Sequence, residues 1–211
     1  MTGTVVDAFR AEADALGHAA SRWAERDWAR PTRCAPWRVR ELFAHVRITL
    51  GRLPGMLAEA APERAEVSAA AYYRPDHRFS PETDAARIRL AQDQAPGLDV
   101  RDFRGFATAL ADRCAAEPPD RVVRTRHGDA MLLTDFLTTR VVELAVHGLD
   151  LADALDRPAW LTPPAAGVVL SLLFGRPAAD LPGPPDRLLR EATGRAPVTL
   201  DLTGLRPLTL G

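Results

Sequence analysis

The chain has 211 residues, 46% apolar and 26% charged, which fits one soluble domain of ordinary size, or a domain with a small appendage, and excludes wholesale disorder. A formal net charge of −1 offers no global basic field for nucleic acid or an anionic membrane. The two cysteines, Cys34 and Cys114, exclude a disulfide-stapled scaffold and a structural zinc site built on thiols alone. All 27 basic residues are arginine, so neither a Schiff-base lysine nor a phosphate-loop lysine is available. With abundant Ala, Pro and Gly, this bias reads as the imprint of a GC-rich, actinobacterial genome.

The N-terminal stretch carries Asp7, Glu12 and Asp14 and lacks the pattern of a signal peptide. No segment approaches the ~20 apolar residues of a membrane span. The expected location is the cytoplasm, with both thiols reduced. Val6, Phe9, Ala13, Leu16, Ala20 and Trp23 recur at helical steps and predict a first helix from Val5 to Arg26. Two prolines between Asp27 and Trp37 break it. A second helix is predicted from Val39 to Ala60 on a spine of Leu42, Val46 and Leu50, with Pro54 kinking it or ending its first part. Pro62 to Pro81 reads as a long polar connection of the kind that is often functional.

Ser80-Pro81-Glu82 has the form of a helix start, and the helical region behind it runs to Glu117, interrupted at Pro96-Gly97. It is one broken helix or two in series. Arg121 to Leu133 predicts a short hairpin turning at His127-Gly128-Asp129, and Thr134 or Asp135 opens a fourth helix that ends near Leu155. The fold expected is mainly α: a four-helix bundle over residues 1–156, followed by a small α+β unit over residues 157–211. In that unit, AAGVVLSLLFG is apolar, DRLLREAT is a short helix, and VTLDLTGLRPLTL alternates like a hairpin around Thr203-Gly204.

The fourth helix places Arg140, Glu143 and His147 on one face, with Asp150 a turn further on. Glu143 and His147 stand one turn apart, about 6 Å along the axis, where a carboxylate and an imidazole can grip one metal ion. Such a pair is ordinarily a surface pair or an internal hydrogen bond. Both groups sit in an apolar run, though, and burying a polar group without a partner costs about 2–7 kcal/mol. His45 shares the inward side of the second helix with Leu42 and Val46. Two imidazoles and a carboxylate from facing helices match the way bundles build core metal sites with open positions. Asp150 either orients His147 or solvates the helix end.

The other candidates have plainer readings. His77, in the YYRPDHR loop, and Arg47 are put forward for substrate or thiol binding. Arg74 and Arg78 are further rim arginines able to clamp a carboxylate. With 27 arginines in the chain, a solvated role is the ordinary expectation for each. His127 is expected to be solvated at its turn and His18 to be structural. Cys34 and Cys114 read as passive, half-buried thiols, and Trp23, Trp28 and Trp160 as packing residues.

DWARPTRCAPWRVRELFAHV resembles the Trp-then-His signature of the mycothiol-dependent maleylpyruvate isomerase family. LTDFLTTRVVELAVHGLDLADAL is similar to that family's second signature, Arg-x-x-Glu-x-x-x-His-x-x-Asp. The resemblance covers residues 1–155, and more weakly RLLREATGR. It implies a DinB-like bundle holding a divalent metal through His45, Glu143 and His147, with Arg140, Asp150 and Trp37 in supporting positions. Zinc is the first expectation for the metal, and nickel, iron or manganese stay open. The resemblance further implies a thiol cofactor, mycothiol or similar, and an isomerase or S-transferase acting on a small electrophile. No catalytic residue is assigned beyond the ligands. The partners implied are that substrate and that thiol, with no nucleic acid or membrane, in a monomer or homodimer. The alternative is a non-catalytic metal-binding bundle with a stress, regulatory or scaffold role. Ala35-Pro36 stands where the family often has Pro-Gly, which alters the turn and not the ligands. Full isomerases of the family are expected to carry a larger second unit than the roughly 55 residues after position 156, so maleylpyruvate itself is not carried over.

Overall fold

The computed structural model describes residues 2–206, 208 and 209. Four long helical segments form the bundle: α1 (Thr2–Ala20), α2 (Val39–Leu50), the pair α5 (Pro81–Gln94) and α6 (Phe103–Ala115), and α7 (Leu133–Ala154). Between α2 and α5 lie two short helices, α3 (Leu53–Ala58) and α4 (Ala69–Tyr72). Between α6 and α7 runs an antiparallel hairpin of β1 (Val122–Arg124) and β2 (Ala130–Leu132), with Val123 opposite Met131. Two helices follow, α8 (Pro163–Phe174) and α9 (Pro185–Ala192).

The centre of the molecule is α7, which packs against α1, α2 and α8. This explains its unusual sequence: enclosed on several sides, it is buried almost continuously from Thr139 to Ala152, with only Glu143 part-exposed in that run. A helix apolar nearly all round is what such a position requires. The α1 stripe of Val6, Phe9, Ala13, Leu16 and Ala20 and the α2 spine of Leu42, Val46 and Leu50 are buried as expected. Ala165, Val169, Leu170 and Leu173 of α8 enter the same cluster of core side chains.

Several boundaries differ from the expectations. α1 ends at Ala20, six residues early, because Trp23 folds back against Trp28 (ring centroids 4.8 Å apart) and Phe43 (5.9 Å). α2 stops at Leu50, and Pro54 falls in the first turn of α3, where its missing amide costs no helical hydrogen bond. The connection from 62 to 81 is partly structured: α4 forms within it, and the Tyr73 hydroxyl donates to the Thr139 carbonyl at 3.1 Å. Ser80 caps α5 and Pro81 opens it, and the region to Glu117 is two helices in series. The hairpin turns where expected, with Gly128 at φ +92°, a conformation that glycine adopts without a Cβ clash.

The hairpin expected at the C-terminal end does not form among the described residues; Pro207 and Leu210 lie outside them. The amides that a partner strand would satisfy go to a side chain instead. Glu191 of α9 accepts from Thr199 N and Leu200 N, both at 2.7 Å.

Glu12 of α1 reaches the start of α8, where its Oε2 accepts from the Thr162 amide (2.8 Å) and hydroxyl (2.7 Å). Burial raises its carboxyl to about 7, against the lowering effect of those hydrogen bonds. A folded-state value above the ordinary 4.5 means that the neutral form favours folding. The contribution is complete below pH 4.5 and is lost as pH rises through about 7. The loss is on the order of 3 kcal/mol. Glu12→Gln keeps an oxygen for Thr162 without the charge. Urea unfolding at about pH 5 and about pH 8 is expected to show the drop in the wild type and not in the variant.

Candidate metal centre

Two helices and one loop bring the polar groups together. His45 points inward from the middle of α2, whose start is fixed by the Arg38 amide donating to Glu41 Oε2 at 2.8 Å. Glu143 and His147 project from one face of α7. The loop from Arg30 to Arg38 is tied across its base by Val39 N donating to Arg30 O (2.9 Å) and Thr32 N to Trp37 O (3.2 Å). It lays Trp37 flat against His45, with centroids 4.7 Å apart and planes 25° apart.

The three side chains converge. Glu143 Oε2 lies 3.2 Å from His45 Nε2 and 3.4 Å from His147 Nε2. One donor atom from each residue falls within 4.8 Å of the others. Ligand atoms set about 2.1 Å from a tetrahedral cation stand about 3.4 Å apart, so this donor set fits a divalent metal with little rearrangement.

The surroundings prepare both imidazoles. Burial lowers His45 to about 4, although Glu143 pulls the other way, so its ring is neutral as a ligand must be. On His147, burial opposes the charged form, but hydrogen bonds to Asp150, Cys34 and Glu143 outweigh it and hold the ring well above its ordinary value. Burial would raise Glu143; the two imidazoles and the Arg140 guanidinium hold it well below. A cation bound at Nε2 would take the place of the His147 proton there. The His147 Nδ1 proton goes to Asp150 Oδ2 at 3.0 Å, which directs Nε2 at Glu143.

Asp150 is itself buried, and the Arg195 guanidinium grips it through Nε to Oδ1 (2.8 Å) and Nη2 to Oδ2 (2.7 Å). Asp150 is thus buried between His147 and Arg195 and does not stand in solvent at the helix end. Arg140 is buried, 3.9 Å from Glu143 Oε1. Cys34 is no bystander in position: its Sγ lies 3.4 Å from Asp150 Oδ2. Cys34, His147 and Asp150 also cluster within 4.8 Å, but Arg195 already occupies both Asp150 oxygens, which disfavours a second cation there.

A cleft of about 980 Å³, its open mouth included, leads to this cluster. Its walls include Trp37, Tyr72, Phe136 and arginines 52, 78, 87, 126 and 140. Four expectations are corrected here. Arg47 lies outside the cleft, with its guanidinium 3.2 Å from the centroid of Phe106. It follows His45 by two residues, about 200° around the helix, and so faces away. His77 is exposed on its loop beside Asp76 and does not line the cleft, and Arg74 is exposed as well. His127 is not simply solvated: it lines the cleft, and burial followed by the Arg126 and Arg78 charges lowers it to about 4. Arg78 does line the cleft, but it is already paired with Asp76 and Asp129. Sequence reasoning missed Arg195, Arg52 and Arg126, which reach the site only through tertiary packing. The only sequence hint was the family-like RLLREATGR, which contains Arg195.

A helical bundle whose facing helices converge on a His–Glu–His cluster at the foot of a cleft has the architecture of the DinB-like bundles. The sequence matches that of the mycothiol maleylpyruvate isomerase N-terminal domain over residues 9–152, and the chain belongs to this family. A similar solved structure is the crystal structure of the mycothiol-dependent maleylpyruvate isomerase, at TM-score 0.55 and 18% identity over 97% of this chain and 92% of that one. No curated protein matches the chain. Coverage of 92% of that isomerase means that the two chains are of similar length, so the expectation of a much larger second unit does not hold for it. No helix among the described residues is long and apolar enough to cross a membrane.

Proposed function

We propose that this protein is a metal- and thiol-dependent enzyme, an isomerase or S-transferase, that uses mycothiol or a similar low-molecular-weight thiol on a small electrophile. The observation that carries the reading is the approach of two imidazole Nε2 atoms to one Glu143 oxygen, at 3.2 and 3.4 Å. Family membership, and the neighbour named for its mycothiol dependence, support the thiol. A divalent cation held by His45, Glu143 and His147, zinc being the first choice, would supply the Lewis acidity that turns a thiol into a thiolate near neutral pH.

The chain's own residues do the rest. Trp37 holds the His45 ring in one plane, and the Asp150–Arg195 pair holds His147 in one tautomer. The aromatic walls of the cleft exclude water from the nucleophile. In the isomerase version, sulfur adds to one carbon of a polarised double bond. The π pair moves to the activating group, the remaining single bond rotates, and the pair returns as the C–S bond breaks. In the transferase version, the C–S bond forms and the leaving group departs with its electron pair. Such chemistry draws on the cytoplasmic thiol pool, in which Cys34 and Cys114 stay reduced.

The test is to give zinc-loaded, untagged protein mycothiol and a panel of electrophiles: cis-enediones, unsaturated keto acids, alkyl halides and epoxides. Conversion without net loss of thiol identifies an isomerase, and stoichiometric loss identifies a transferase. Absence of turnover on every member, by protein that retains its metal, would favour the non-catalytic bundle.

A further inference from the structure

The arginines of the cleft are not equivalent. Arg78 is matched by Asp129 (2.6 Å) and Asp76, Arg87 by Asp84 (2.6 Å), and Arg140 faces Glu143. Arg52, before α3, and Arg126, in the hairpin turn, have no carboxylate within 4.0 Å among the described residues. The one polar side-chain partner of Arg126 among those residues is His127, whose Nε2 accepts from its Nε at 3.0 Å. Burial lowers the guanidinium pKa of Arg52, and Arg140 lowers it further. Arg126 is lowered in the same sense by burial and then by Arg52, Arg87 and Arg140. Tyr72 lines the same cleft as Arg52, Arg126 and Arg140, with its ring centroid 6.4 Å from that of His127.

Arg52 is part-buried and Arg126 exposed at the mouth of the cleft; like charges gathered there repel one another, and a bound anion is what turns that repulsion into attraction. The guanidinium fork matches two oxygens of a carboxylate or a phosphate. We propose that Arg52 and Arg126, with Tyr72 in the same cleft, form an oxyanion seat separate from the His–Glu–His cluster. The seat takes a carboxylate or phosphate carried by the substrate. In calling the occupant a substrate, this inference rests on the thiol-enzyme reading, and it narrows that reading to electrophiles with an anionic group away from the reacting carbon.

The seat is testable without metal. Chelator-treated protein is titrated calorimetrically with succinate, with inorganic phosphate and with neutral succinamide. The wild type is expected to bind one of the two anions saturably and to ignore succinamide; the anion bound more tightly identifies the source. Arg52→Gln and Arg126→Gln should each weaken binding about tenfold and the double variant about a hundredfold, since each removes charge-assisted hydrogen bonds. Arg89→Gln, which removes the same charge from an exposed position of α5, should change nothing. Circular dichroism confirms that each variant is folded, and Arg52→Lys, which keeps the charge without the fork, should still lose affinity. Equal affinity in the double variant, or no saturable binding by the wild type, overturns the seat. Loss of zinc binding with anion binding intact overturns the proposed enzyme and leaves the seat standing.

Discussion

His147→Ala is expected to leave untagged protein with less than about a tenth of the wild type's bound divalent metal after equilibration and dialysis, read by elemental analysis. Loss of an outer partner typically costs about 10–100-fold in metal affinity, and loss of a direct ligand costs at least as much. The variant also removes the imidazole between Glu143 and Asp150. Glu143 and Asp150, two turns apart on α7, then have only Arg140, Arg195 and the partly exposed Arg33 to balance them. The fold should persist, because the Asp150–Arg195 pair does not pass through His147. Glu143→Gln serves as the second variant: it keeps the shape and removes the anionic ligand, and it should show the same deficit. Wild-type metal content in either variant would leave the cluster as an internal hydrogen-bond network and nothing more.

Arg195→Met is expected to cost about 3–5 kcal/mol of stability in urea unfolding of the metal-free protein, the penalty for stranding one member of a buried ion pair. Asp150 is 1% exposed and takes two of its hydrogen bonds from Arg195. Burial works against its carboxylate, yet His147 and Arg195 hold its pKa below the ordinary value. For an acid lowered in this way, the stabilisation is complete above the ordinary carboxyl value of 3.8 and is lost only as pH falls through the depressed value. The wild-type advantage over Arg195→Met should therefore hold from neutral pH down to about pH 4 and shrink only in stronger acid. Asp150→Asn combined with Arg195→Met should recover part of the loss, because no charge is then stranded. A cost under about 1 kcal/mol would mean that the pair behaves as an exposed one does.

What the sequence disclosed and what it withheld divide along physical lines. His45, Glu143 and His147 were legible because helical period fixes which residues share a face, and because polar groups in apolar runs need partners. The same rule would have removed Arg47, which stands too far around α2. The sequence is compatible with two readings of Asp150 because its partner, Arg195, lies 45 residues on in an irregular segment after α9. Arg52 and Arg126 follow no period at all and meet only because α3 and the hairpin turn reach the same cleft. The C-terminal alternation misled for a different reason. Glu191 satisfies amides that the pattern assigns to a second strand, while Leu200 and Leu202 pack against the core.

Arg140, Glu143, His147 and Asp150 all ride on α7, and that helix is held on several sides. Much of the wall above them comes from elsewhere: Arg52, Tyr72, Arg78, Arg87 and the tip of the hairpin. The polar cluster and much of the cleft wall are thus written on separate stretches of chain. A change confined to the cleft-lining positions of 122–132 or 52–80 would alter the wall without touching the cluster, whereas a slip of α7 by one residue would carry all four of its polar groups out of register.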